Sequence, residues 1–219
     1  MTIADEVQRR GITELLHFTT NRGIVGILFS GALRSRHILP QEKYLEHVLH
    51  VNSATRPEAA EFFDKSQNWL DYVNLSISEI NRRFFEFSLG WHADADIWWG
   101  ILAFDPILMT HDGVVFTTTN NAYEHCVRRD GLAGLDSLFD PRIRRKQTWS
   151  VQRGARVDRL PTCEQAETLY PHQVSTAFLR RIYVMEGDHH DQARGWLREC
   201  GLPDVQVSID PAKFMGCKN

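Results

Sequence analysis

The sequence predicts an α+β fold in one domain spanning 1–219. Three observations predict it. Short apolar runs that suit strands recur along the chain. Stretches with apolar residues at helical spacing lie among them, without the regular alternation that a parallel βαβ sheet needs. The chain has 219 residues, 42% hydrophobic and 24% charged, a globular balance that can bury one sizeable core.

The elements follow in order. Residues 15–19 form a short apolar stretch that suits a strand. Asn21 is placed to cap the helix behind it, where Ile24, Ile27 and Leu28 recur at helical spacing and Gly31 ends the run. Residues 40–50 read as helical, and 52–70 as a surface loop and helix. Over 72–78 the pattern alternates. Val73, Leu75 and Ile77 face one way and Asn74, Ser76 and Ser78 the other, so a half-buried strand would offer a polar face to a ligand. Residues 98–104 are densely apolar and Pro106 stops them, which suits a buried strand or a short helix. A strand over 114–118, an Asn-capped helix over 120–129 and an irregular stretch to about 163 come next. Strands at 166–169 and 182–185, an amphipathic helix over 188–200 ended by Gly201, and a last strand at 205–209 complete the pattern.

Composition excludes several classes. The net charge of −3 rules out a basic nucleic-acid coat, so any nucleic-acid site must be a local patch. Cys126, Cys163, Cys200 and Cys217 match no zinc-knuckle or thioredoxin spacing, which points to free thiols in a reducing cytoplasm. The opening MTIADEVQRR lacks the apolar core of a signal peptide. The longest apolar run, 97–104, is far too short to span a bilayer. An H-x-D-x-D at His92, Asp94 and Asp96 yields no complete metal-ligand set, and Gly-rich phosphate fingerprints are absent, so no metal is expected.

Four segments carry candidate chemistry. His17-Phe18-Thr19 ends a strand directly before a helix. His17 could orient a ribose hydroxyl, and Thr19 with the first helical N–H groups could meet a carboxamide or phosphate; the bland alternative is a histidine satisfied in a turn. Asn81-Arg82-Arg83 follows the alternating strand, and paired arginines at a strand exit suit phosphate binding or simply a solvated charge pair. Gln165 and Glu167 share a face if 165–169 is a strand. Glu167 could then stabilise an oxocarbenium-like centre or take a proton, or stand as an edge charge in water. Finally, 141–160 holds Arg142, Arg144, Arg145, Lys146, Arg153, Arg156 and Arg159 with Trp149 and a single acid, Asp158. That is the composition of a single-strand nucleic-acid surface, or of a solvated loop.

The set of segments resembles the DarT family of NAD-dependent ADP-ribosyltransferases, toxins that modify bases in single-stranded DNA. The matching stretches are LLHFTTNRGIVGILFSGALRSR, DYVNLSISEINRRFF, GVVFTTTNNAYEH and QAETLYPHQVSTAFLRRIYV, in that order from about 12 to 185. The resemblance implies a split pair of small antiparallel-rich sheets, surrounded by helices, with NAD in the cleft between them. It implies that His17 and Thr19 hold the nicotinamide–ribose end, with Asn21 opening the supporting helix. It assigns Arg82 to the cofactor phosphates and to activation of the target base, and Glu167 to catalysis. The basic stretch becomes the substrate loop, with Arg144, Arg145, Lys146, Trp149, Arg153 and Gln165 as nucleic-acid contacts. The implied partner is a macrodomain antitoxin that removes the mark.

Two points stay open at this level. Arg83 competes with Arg82 for the arginine position, and NLSIS is more polar than the corresponding strand of well-known members, which leaves thymine and guanine both possible as target. The expected chemistry is loss of nicotinamide with positive charge building on the ribose, met by Glu167, and attack by a base nitrogen from the opposite face. A base must leave the duplex to reach such a cleft, which favours single strands. The rival readings are an ADP-ribosyltransferase acting on RNA or protein, and a nucleic-acid-binding module without chemistry.

Overall fold

The computed structural model describes residues 1–35, 38, 69–91 and 96–217. The helix expected over 40–50, almost all of 52–70, and His92 and Asp94 lie outside the described residues.

Helix α1 (Ile3–Arg10) was not foreseen. Thr2 and Asp5 exchange side-chain and backbone hydrogen bonds at its start, and Gly11 closes it in the left-handed region at φ 68°. Strand β1 (Leu15–Thr20) runs one residue further than its pattern suggested and leads into α2 (Asn21–Ser30). Gly31 ends α2 as expected. Then come β2 (Ala32–Arg34), β3 (Tyr72–Ile77) and α3 (Arg82–Trp91), a helix that begins at the paired arginines of the strand exit. Asn81 starts α3, because its side-chain Oδ1 accepts from Phe84 N at 3.1 Å. The 98–104 run resolves into strand β4 (Trp99–Phe104).

Strands β5 (Val115–Thr117) and β6 (Arg128–Asp130) flank a stretch expected to be helical. Instead of a helix, Tyr123 N bonds Asn120 O at 2.9 Å and Cys126 N bonds Tyr123 O at 3.0 Å, which makes two successive turns. Helix α4 (Gly131–Ser137) follows. The stretch expected to be irregular holds a hairpin, β7 (Arg142–Lys146) and β8 (Trp149–Gln152). The chain continues through β9 (Glu167–Pro171), β10 (Gln173–Ser175), β11 (Leu179–Val184), α5 (Gly187–Glu199) and β12 (Gln206–Ile209).

Eight strands form one sheet in the order β12-β11-β4-β1-β3-β9-β5-β6, and β10-β2 and β7-β8 form two small pairs. The expected pair of separate small sheets is therefore one sheet with a weak middle. β1 pairs with β4 along its whole length, from Leu15↔Phe104 to Thr20↔Trp99. With β3 it pairs only at Leu15↔Ile77 and Leu16↔Ser76. Beyond those two pairs the sheet divides into two four-stranded halves. All neighbours are antiparallel except β11 and β12.

Apolar side chains cover both faces. On one, Leu15, Leu75, Ile77, Leu102 and Phe104 pack with Ile24, Ile27 and Leu28 of α2, Val7 of α1 and Ala193 and Leu197 of α5. Ile24 is fully buried, so truncating it to alanine would cost about 2–5 kcal/mol. Its methyl fits because β4 has Gly100 there: a Cβ on Gly100 would stand 2.7 Å from Ile24 Cδ1. On the other face, Leu16, Trp99, Ile101 and Tyr183 pack with Ile80, Phe85 of α3 and Phe214. The C-terminal turn Pro211–Met215 closes that side. Buried Arg156 pins it by pairing with buried Glu79 and donating to Cys217 O at 3.3 Å, while Cys217 N donates to Glu79 Oε2 at 2.9 Å.

Candidate active site

The division between β1 and β3 exposes one residue to both halves. Asn74 stands on β3 just past the last β1 partner and is exposed. Its backbone carbonyl lies 3.1 Å from His17 Nδ1. Its partner on β9 is Leu169, so Asn74 stands diagonal to Glu167, close enough for its side chain to favour the ionised carboxylate. Two of the predicted residues, His17 and Glu167, thus border a residue that belongs to neither segment. The sequence signal for Asn74 was the polar face of its alternating strand.

Directly opposed residues in an antiparallel pair share a sheet face. Ser76 opposes both Leu16 and Glu167, so Glu167 lies on the face that carries α3. Thr117 of β5 opposes Glu167 from the other side and donates its hydroxyl to Glu167 O at 3.3 Å. The carboxylate Oε2 accepts the Asn121 backbone N–H at 3.0 Å. Asn121 is itself held by Arg128, whose Nε donates to Asn121 Oδ1 at 2.7 Å and whose second nitrogen takes the Asn121 carbonyl. Arg128 also lies 5.4 Å over the Trp69 ring.

This setting pushes the Glu167 carboxyl above the usual carboxylate range. Burial is the main cause, and the Asn121 amide, the Asn74 side chain and the Arg128 charge work against it. A carboxylate so placed is poorly hydrated and is supported on one side. Positive charge arriving from the open side would relieve its desolvation. Neither Asn121 nor Arg128 was singled out from the sequence, because the segment bearing them reads as a helix.

Thr19 lies on the outgoing half of β1 against α2. A Cβ at Gly23 would stand 2.1 Å from Thr19 Oγ1, so only glycine there lets helix and strand meet this closely. The expected cap is corrected: Thr20, not Asn21, caps α2, with its hydroxyl accepting from Gly23 N at 3.2 Å. β1 runs to Thr20, which places that hydroxyl over the helix start. Asn21 is the first helical residue and instead ties α2 to the start of β4, donating Nδ2 to Asp96 O at 2.8 Å and N to Trp98 O at 2.8 Å.

The two arginines of α3 go different ways. Arg82 Nε pairs with Glu86 at 2.7 Å, one helical turn on, and no described contact brings it to Glu167. Arg83 is exposed and lies 5.7 Å over the Trp149 ring of the hairpin.

The basic stretch is sorted by hairpin pairing. Arg142, Arg144 and Lys146 are exposed, and Arg142 and Arg144 line a concavity of about 380 Å³ with Gln147, Thr148 and Ser150. Arg145 alternates inward, 3% exposed. It pairs with Glu164 and donates to Cys163 Sγ at 3.2 Å, so the expected phosphate contact is corrected to an anchor. Arg153 is likewise a loop clasp, donating to Leu160 O at 3.0 Å and Val157 O at 3.2 Å. Gln165 precedes β9 rather than lying in it. It is 2% exposed, and its Oε1 has no hydrogen-bond partner among the described residues, so it faces the interior and not a nucleic acid. Trp149 remains 37% exposed with Arg145 4.6 Å from its ring centre. The hairpin is thus anchored three and four residues before Glu167, at Glu164 and Cys163.

Among the described residues no group of three or more His, Cys, Asp or Glu is arranged to hold a metal ion. None of the described helices is long and apolar enough to cross a membrane. The four cysteines are free, Cys126 and Cys163 buried and Cys217 exposed.

Solved structures share this architecture. Thermus sp. 2.9 DarT in complex with NAD+ matches with a TM-score of 0.61 and 16% identity, over 92% of this chain and 96% of that one. The same protein in complex with ADP-ribosylated ssDNA matches with a TM-score of 0.57 and 15% identity, over 93% and 96%. Thermosipho africanus DarTG in complex with ADP-ribose matches with a TM-score of 0.53 and 15% identity, over 92% of this chain and 51% of that one. No curated protein matches the sequence. At 15–16% identity these matches show the fold: the chain has the α+β architecture of the DarT structures. The family model described as "ssDNA thymidine ADP-ribosyltransferase, DarT" matches residues 16–215. The chain belongs to the DarT family, and it is an NAD-dependent ADP-ribosyltransferase of single-stranded DNA.

Proposed function

We propose that this chain moves ADP-ribose from NAD+ onto thymidine in single-stranded DNA, and that Glu167 is the group that meets the charge created on the way. The observation that carries the reading is the position of Asn74, whose backbone carbonyl lies 3.1 Å from His17 Nδ1 and which stands diagonal to Glu167 on the neighbouring strand. The thymidine target is that of the family description.

His17 and Thr19 offer a ring nitrogen and a hydroxyl beside the start of α2, which suits the nicotinamide–ribose end of NAD+. Arg82 is the candidate for the diphosphate. Its pair with Glu86 is exposed and worth about 0.3–0.5 kcal/mol, so a better anion can displace it. Glu167 lowers the barrier by stabilising positive charge on the ribose as nicotinamide leaves, an effect on the order of 10²–10³ in rate. The base nitrogen bonds to the ribose carbon, the carbon–nicotinamide bond breaks, and the proton lost by the base goes to Glu167 or to solvent. The exposed hairpin residues Arg144, Lys146 and Trp149 would hold the strand near the acid. A single domain carries all of these groups, and the reading includes a toxin role with a macrodomain antitoxin that removes the mark.

The direct test incubates the protein with labelled NAD+ and, separately, single-stranded DNA, RNA or a protein mixture. Label on thymidine of single-stranded DNA supports the reading. Label confined to RNA or protein, or no label at all, ends it.

A further inference from the structure

We infer that α3 is a second wall of the DNA path, with Phe87 and Arg83 stacking nucleotides that flank the target base. The inference rests on the reading above and deepens it.

Phe87 is 57% exposed in the middle of a well-formed helix, and Arg83 stands one turn before it. Both project away from the core, since the buried residues of α3 among those described are Phe85 and Ser88. An exposed phenylalanine alone would mean little. Its surroundings are the informative part. The Arg83 guanidinium lies 5.9 Å over the Phe87 ring and 5.7 Å over the Trp149 ring, so one cation sits between two exposed aromatics from different elements. Exposed Lys146 faces Trp149 directly across the hairpin and reaches 5.3 Å from the Tyr123 ring. Aromatic rings and cations therefore alternate from α3 across the hairpin to the turn that supports Glu167.

That alternation matches a stretched, unpaired strand. Bases offer flat faces to rings and guanidinium planes, and phosphates offer charge to the cations between them. A duplex hides its base faces and cannot use such a surface. The strip also lies on the correct side. Phe85 of α3 packs on the sheet face of Leu16, and that is the face of Glu167. Its occupant is thus the single strand itself, on either side of the modified nucleotide.

The test measures transfer to a thymidine dinucleotide and to oligothymidylates of increasing length, together with NAD+ affinity on the same preparations. In the unmodified protein KM should fall with length. Phe87→Ala should erase most of that gain, raising KM for the long substrate about ten-fold or more while kcat and NAD+ affinity hold. Phe87→Trp should restore it, which mere helix packing would not. Arg83→Glu should raise KM more at low salt than at high salt. The inference is overturned if length has no effect in the unmodified protein, or if Phe87→Ala keeps the full length dependence. If the unmodified protein labels no DNA at all, the underlying reading fails instead.

Discussion

The Asn121 backbone N–H donates to Glu167 Oε2 at 3.0 Å, across 46 positions of sequence. That bond takes up one lone pair of the acid and fixes its direction. The supporting turn and the candidate catalytic group are therefore one unit.

The first prediction concerns Glu167 and activity. Glu167→Ala should lower kcat by about 10²–10³ while NAD+ affinity stays within a few-fold, because the charge it meets exists mainly in the transition state. Single-turnover transfer and NAD+ titration on the same variant check this. An active, well-folded variant would remove Glu167 from the mechanism.

The same residue predicts two pH effects. The acid must be ionised to work, so the acid limb of the kcat profile should lie above the ordinary glutamate value of 4.5. Stability runs the other way. A carboxyl whose pKa is raised by folding favours the native state at low pH, and that contribution is lost as pH rises through the raised value. Glu167→Gln should therefore melt higher than the unmodified protein at neutral pH, with the difference shrinking below pH 4.5. Melting curves at both ends would show it.

Arg82 and Arg83 should separate cleanly. Arg82→Ala should raise KM for NAD+ and leave DNA affinity unchanged, since it faces Glu86 and not the hairpin. Arg83→Ala should do the reverse, since it lies over Trp149. Equal effects of both on NAD+ would contradict the assignment.

Within the hairpin, burial predicts which cations bind and which hold the fold. Arg144→Glu and Lys146→Glu should each change stability by less than about 0.5 kcal/mol and reduce the log–log salt slope of DNA binding by about 0.7 for each phosphate that is no longer neutralised. Arg145→Met should instead destabilise the protein by about 1–3 kcal/mol, because the buried guanidinium's bonds to Glu164 and Cys163 Sγ are lost. Denaturation and salt titrations of the three variants distinguish the roles.

Gly23→Ala tests the helix–strand contact. Alanine is the better helix former by about 1 kcal/mol, but its Cβ would lie 2.1 Å from Thr19 Oγ1. The clash should win, costing about 1–3 kcal/mol and weakening NAD+ binding. Adding Thr19→Ala should recover stability without recovering NAD+ affinity. A stabilised Gly23→Ala protein with normal affinity would show that the contact has no role.

Local patterns by themselves determined much of this protein. Alternation in 72–78 and the strand-then-helix at 15–31 each became the element they predicted, and the dense run at 98–104, open to strand or short helix, became a strand, because burial of one face or both is written in the spacing of apolar residues. The HFT strand end and the late glutamate were legible for the same reason: polar groups interrupt apolar strands there. What only the tertiary structure decided involves partners far apart in the chain. Thr20 took the cap from Asn21 because β4 extended β1 by one residue, and either side chain can cap. In residues 120–129, which turn instead of coiling, Arg128 takes the Asn121 carbonyl that a helix would have given to its own fourth residue on. The four basic residues of β7 divided into Arg142, Arg144 and Lys146, which face solvent, and Arg145, which holds the loop, only once β7 and β8 paired, since alternation assigns a side chain to a face only when the strand exists. That Asn74 borders both His17 and Glu167 depends on β1 leaving β3 after two pairs, a divergence set by the twist and packing of the whole sheet and absent from any single segment.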